Sequence, residues 1–214
     1  MSGRRVIVIA VLATASLIAG CGGTEQNAGE RPGTFPVSVS SSFPASQTLA
    51  EQTSFMVRIK NVGKAVIPDV AVTVLNPRYG AAAQAFGTLI KPGGAGQPIL
   101  ASRSRPIWIV TQAPGPCGYS CKNRGPGGAA TAYTNTWALG KLAPGHVAVF
   151  RWKLTAVQPG AYTVEYEVAA GLNGYAKAVL SDKSPARGHF TVHISSAPAT
   201  VTVHGDGKVT RRSA

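Results

Sequence analysis

The chain has 214 residues, 44% of them hydrophobic, enough for one packed domain, and its 25 Gly and 15 Pro suit a fold of many turns rather than long helices. Lys and Arg number 21 against 8 Asp and Glu, a net charge of +13. So few carboxylates argue against paired-carboxylate catalysis, no nucleic-acid motif accompanies the charge, and the basic balance points to anionic partners through a field that salt screens.

At the amino terminus, Arg4 and Arg5 precede an uncharged apolar stretch over residues 6–17. That stretch is shorter than the roughly 18 residues a membrane span needs, so it reads as a secretory signal. It ends in Ile18-Ala19-Gly20-Cys21, which resembles the lipobox of bacterial lipoproteins. The resemblance implies that residues 1–20 are removed as a signal peptide and that the Cys21 thiol carries a diacylglycerol. The protein is then expected on the extracytoplasmic side of a cell membrane, held by its acyl chains at about 0.8 kcal/mol per buried methylene. Residues 21–34 are Gly, Glu, Asn and Pro with almost no apolar side chain, the composition of a flexible spacer.

From Phe35 onward short alternating runs predict strands. Phe55, Val57 and Ile59 face one side against Met56, Arg58 and Lys60, and Asn61-Val62-Gly63 turns the chain. Val70, Val72 and Val74 interleave with Ala71, Thr73 and Leu75, an apolar pattern on both faces that predicts a central strand. Further runs cover 105–111, with Trp108, and 134–139, with Trp137. Phe150, Trp152 and Leu154 oppose Val149, Arg151 and Lys153. Tyr162, Val164, Tyr166 and Val168 oppose Thr163, Glu165 and Glu167, and Phe190, Val192 and Ile194 repeat the pattern. The turn His204-Gly205-Asp206-Gly207 joins 201–203 to Val209 as a hairpin. About nine strands and no strong helix predict an all-β fold, an antiparallel β-sandwich over residues 35–196 followed by a hairpin and basic tail over 197–214.

The segments Phe55-Met-Val-Arg-Ile-Lys-Asn-Val-Gly63 and Pro68-Asp-Val-Ala-Val-Thr-Val74 resemble the opening strands of bacterial immunoglobulin-like domains of the cell-adhesion-related and conserved-repeat types. Leu142-Ala-Pro-Gly145 and Pro159-Gly-Ala-Tyr-Thr-Val164 are similar to later turns of that fold. Tyr162, just after Pro-Gly, is placed like a tyrosine corner, whose hydroxyl ties a strand to the turn before it. Residues 76–132 depart from the family as a long, partly irregular insertion, and loops of that length are usually functional or disordered.

Candidate sites are few. Cys117 and Cys121 read as a small disulfide in an oxidising compartment, with a copper-binding or redox-active dithiol and free thiols as alternatives. Around them, Tyr119, Lys122, Arg124, Tyr133 and Trp137 combine aromatic and basic groups, a composition enriched at partner-binding surfaces. His189 and His193 share one strand face about 13 Å apart, too far to hold one ion directly. No nucleophile elbow is present, and neither a cofactor nor a metal is expected. The expectation is a non-catalytic binding or structural module of the bacterial cell envelope. Its expected partners are the membrane, through Cys21, and an anionic envelope polymer or another envelope protein, with no nucleic acid. Lys and Arg are scattered along the sequence, which on its own describes solvated strand faces as well as a binding surface.

Overall fold

The computed structural model describes residues 30–76, 84–88, 106–115, 131, 133, 135–198 and 200–212. These residues are strands and connecting turns, as expected of an all-β chain. The strands are β1 (Gly33–Ser42), β2 (Ser46–Leu49), β3 (Gln52–Asn61), β4 (Ala71–Val74), β5 (Phe86–Thr88), β6 (Trp108–Gln112) and β7 (Thr136–Ala138). They continue with β8 (Val147–Ala156), β9 (Gly160–Ala169), β10 (Ala176–Val179), β11 (Arg187–Pro198), β12 (Thr200–Val203) and β13 (Val209–Arg212).

Two sheets form an immunoglobulin-like β-sandwich, with strand orders β10-β1-β3-β8-β6-β5 and β2-β11-β9-β4-β7, and β12 and β13 make the expected hairpin. The central ladders are antiparallel, β3 to β8 over nine registered pairs and β9 to β11 over eight. The expectation of a wholly antiparallel sandwich needs one correction, because β10 joins β1, β2 joins β11 and β5 joins β6 in parallel. Each is a short edge strand reached by a connection that changes sheet or crosses over, which a hairpin cannot provide. The valine-rich strand β4 has neighbours on both sides, β7 and β9, in line with its apolar pattern.

Alternation decides what the sheets bury. Phe55, Val57 and Ile59 of β3 and Phe150, Trp152 and Leu154 of β8 are fully buried, facing Val164, Tyr166, Val192 and Ile194 across the sandwich. Aromatic rings join the two layers: Phe55 lies 4.8 Å from Trp152, nearly parallel, and 4.8 Å from Phe190 of the opposite sheet. Trp137 meets Trp152 edge to face at 5.3 Å. Such contacts add about 0.5–1.5 kcal/mol to the burial of the rings themselves. Between β1 and β2 the chain passes from one sheet to the other, and Phe43 caps the gap, its ring 5.4 Å from Phe55 and 4.9 Å from Phe190.

Three polar groups hold the ends. Tyr162 donates its hydroxyl proton to Pro159 O at 2.8 Å, so the tyrosine corner is present. The indole N–H of Trp108 donates to Oε1 of buried Gln47 at 2.8 Å, linking β6 to β2 across the sandwich. Asn61 is fully buried. Its Nδ2 donates to Ala65 O and Leu142 O, and its Oδ1 accepts from the Gly63 N–H, pinning two loops of one end together.

Candidate anion-binding face

The strands of the six-stranded sheet carry Arg58, Lys60, Arg151, Lys153 and Lys177, and no Asp or Glu. All five cations are exposed, because they occupy the outward positions of strands whose alternate residues fill the core. Register gathers what the sequence scatters. Lys60 lies opposite Val147, Arg58 opposite Val149, Met56 opposite Arg151 and Ser54 opposite Lys153. No two cations are therefore directly opposed. They descend diagonally from Lys60 and Arg58 on β3 to Arg151 and Lys153 on β8, each about 7 Å from the next, over roughly 20 Å of sheet.

Beside this stripe, β1 presents a row of hydroxyls. Ser38 pairs in register with Lys60, Ser40 with Arg58 and Ser42 with Met56, and all three serines are exposed. The row therefore sets short hydroxyl side chains directly beside the long cations of β3. The Arg151 guanidinium donates to the Met56 sulfur at 3.6 Å, a weak acceptor that carries no charge to offset its own. The spacing is within about one screening length at physiological salt, so the charges reinforce one another's potential.

The face continues around its β10 edge. An open groove of about 450 Å³ runs between β9 and β10, bordered by Lys177, Lys183 and Arg187. Arg187 is tied to Glu167 at 2.9 Å. Asp182, in the turn beside Lys183, directs its carboxylate at the Ser184 hydroxyl and then at the Ser184 N–H, which together hold its pKa below the usual carboxylate value.

The residues singled out in the sequence fall differently. Cys21, Cys117, Tyr119, Cys121, Lys122 and Arg124 lie outside the described residues, as does most of the 76–132 insertion. Tyr133 stands exposed beside β7, whereas Trp137, on β7, is 5% exposed with its ring in the core. Those two therefore do not share a surface. His189 and His193 are exposed on the outward face of β11, and among the described residues no group of three or more His, Cys, Asp or Glu is placed to hold a metal ion. No described helix is long and apolar enough to cross a membrane.

No family model matches the chain, and no curated protein matches it. Solved structures do resemble it. The CARDB domain of the PF1109 protein of Pyrococcus furiosus, crystallised with di-metal ions, is 16% identical with a TM-score of 0.41, covering 76% of this chain and 96% of that one. Escherichia coli alpha-2-macroglobulin is 11% identical with a TM-score of 0.40, covering 78% of this chain and 7% of that one. A beta-glucosidase of Listeria innocua is 12% identical with a TM-score of 0.36, covering 77% and 16%. Likenesses this distant carry no activity or ligand over to this chain, whose sandwich is established by its own strand pairing.

Proposed function

We propose that the chain is a non-catalytic binding module of a bacterial cell envelope, tethered outside the cytoplasm by acyl chains on Cys21, whose six-stranded sheet binds an anionic envelope polymer. The observation that supports this reading is the outward face bearing Arg58, Lys60, Arg151, Lys153 and Lys177 without a carboxylate. Gathering like charges on adjacent strands costs stability, and a bound polyanion offsets that cost. The spacing of about 7 Å suits a phosphodiester or uronic-acid polymer with one charge per repeat, and the serine row suits hydroxyl and phosphate oxygens. Binding of this kind releases counterions, so affinity falls steeply with the logarithm of salt.

The test is retention of the leaderless chain on isolated anionic envelope polymer across a salt series, beside the variant Arg58→Gln/Arg151→Gln/Lys153→Gln. Retention that salt abolishes and the triple variant lacks supports the reading. Equal retention of both proteins, or none at low salt, removes it.

A further inference from the structure

One end of the sandwich is built from the loops over residues 62–70, 139–146 and 170–175 and from the stretch 30–33, where the chain enters the fold. Register and backbone hydrogen bonds hold these together: Val37 pairs with Asn61, Lys60 with Val147 and Ile67 with Leu142, and the Gly33 N–H donates to Tyr175 O at 3.1 Å. Six large hydrophobic side chains stand exposed among the described residues, and four of them are here: Val62 at 50%, Val66 at 49%, Val147 at 44% and Tyr175 at 64%. Arg31, Lys60, Lys64 and Lys141 are exposed around them. The two carboxylates described at this end are engaged by backbone N–H groups. Glu30 accepts from the N–H groups of Asn173 and Ala176, and buried Asp69 accepts from the Gly140 N–H.

Apolar tips ringed by cations, with the described acids held by backbone N–H groups, form a surface matched to the interface of an anionic bilayer. Valines and a tyrosine partition into the headgroup layer, and lysines pair with lipid phosphates at the surface. We infer that this end of the sandwich docks directly on a membrane rich in anionic phospholipid, with Val62, Val66 and Tyr175 entering the interface and Lys64 and Lys141 contacting headgroups. The path of the chain agrees. Glu30 is fixed at this end by its two hydrogen bonds, over Gly171, where an added Cβ would lie 2.1 Å from the carboxylate. Cys21 lies nine positions before Glu30, a reach of at most about 30 Å. The inference draws on the tethered-module reading for that geometry alone. A second membrane contact of this kind orients a domain that its acyl chains already hold at the surface, and it leaves the cationic stripe rising from the bilayer along β3 and β8.

The surface is tested without acyl chains. Every core residue among the described ones lies beyond Gly33, so residues 21–214 with Cys21→Ser keep the described core. This protein is sedimented with vesicles of phosphatidylcholine alone and of phosphatidylcholine mixed with phosphatidylglycerol at low salt. We expect at least about tenfold stronger binding to the mixed vesicles. Lys64→Glu/Lys141→Glu removes that preference, Val62→Ser/Val66→Ser/Tyr175→Ser weakens binding, and Arg151→Gln/Lys153→Gln on the sheet face leaves it intact. All these positions are exposed, and circular dichroism confirms each variant folded. Failure to bind the mixed vesicles, binding without a charge preference, or loss of binding in the sheet-face variant overturns the inference. Polymer retention is read separately with the same proteins: the docking variants keep it if the sheet-face reading is right, so the two readings fail independently.

Discussion

The two outward faces of this sandwich use the same strand geometry for opposite ends. On the five-stranded sheet, Glu167 lies in register with Arg187 and closes a 2.9 Å ion pair, Glu165 lies opposite His189, and Thr163 and Thr191 join their hydroxyls at 3.0 Å. The ion pair and the hydroxyl pair are matched cross-strand neighbours, the kind that holds an antiparallel ladder together. On the six-stranded sheet the outward positions offer Arg58, Lys60, Arg151 and Lys153 with no acid among them. Staggered register avoids direct opposition but supplies no partner. A sheet that does not neutralise its own charge holds it ready for something else, and the difference between the faces, rather than the net charge of the chain, locates the candidate site.

The comparison assumes that both faces ride on one core. Trp152→Ala tests this most severely, because the ring is fully buried and packs on Phe55 of its own sheet and Trp137 of the other. A loss of about 3–5 kcal/mol is expected, in a single transition followed equally by chemical denaturation and by tryptophan fluorescence. Two separate transitions would mean that the sheets are independent and their faces not comparable. Asn61→Ala comes next, at about 2–3 kcal/mol, since it strips hydrogen bonds from the buried carbonyl of Leu142 and from Ala65 O. Because Asn61 binds the loops of the proposed docking end, this variant should also show faster amide exchange over residues 62–66 and 141–146, whereas Asn61→Asp should recover only the contact to the Gly63 N–H.

Much of this frame was legible beforehand because half-buried strands advertise themselves by a period of two. The inward and outward sets of β3, β8 and β9 fall as the alternation of Phe55, Phe150 and Val164 with their polar neighbours requires. Tyr162 was readable because a tyrosine corner is local, set by Pro159 and Gly160 just before it. The short edge strands were not. Ser46–Leu49 buries Gln47 and Thr48 instead of aliphatic side chains, and Gln47 is explicable only by its distant partner Trp108. The cationic stripe was equally hidden. Arg58 and Arg151 are far apart in sequence, and only the β3–β8 register makes them neighbours, so a reading along the chain finds scattered charge where the fold has a row. Trp137 shows the reverse error: an aromatic beside basic residues suggests a contact surface, yet its strand turns the ring into the core.

The smallest effects sharpen the comparison most, because they should carry opposite signs. Replacing Glu167 by Gln breaks the ion pair with Arg187, whose side chains are 38% and 64% exposed, and such a pair contributes under about 1 kcal/mol. A loss of a few tenths of a kcal/mol is expected, fading as salt is added. Replacing Arg58 and Arg151 together by Gln keeps most of each stem while removing two like charges from adjacent strands. Relief of that repulsion should raise stability by a few tenths of a kcal/mol at low salt, while retention on anionic polymer falls. Paired denaturant titrations at low and high salt measure both signs. Stabilisation of both variants, or of neither, would mean that the two faces do not differ in the way their charges are matched, and the cationic stripe would lose its claim to be a site.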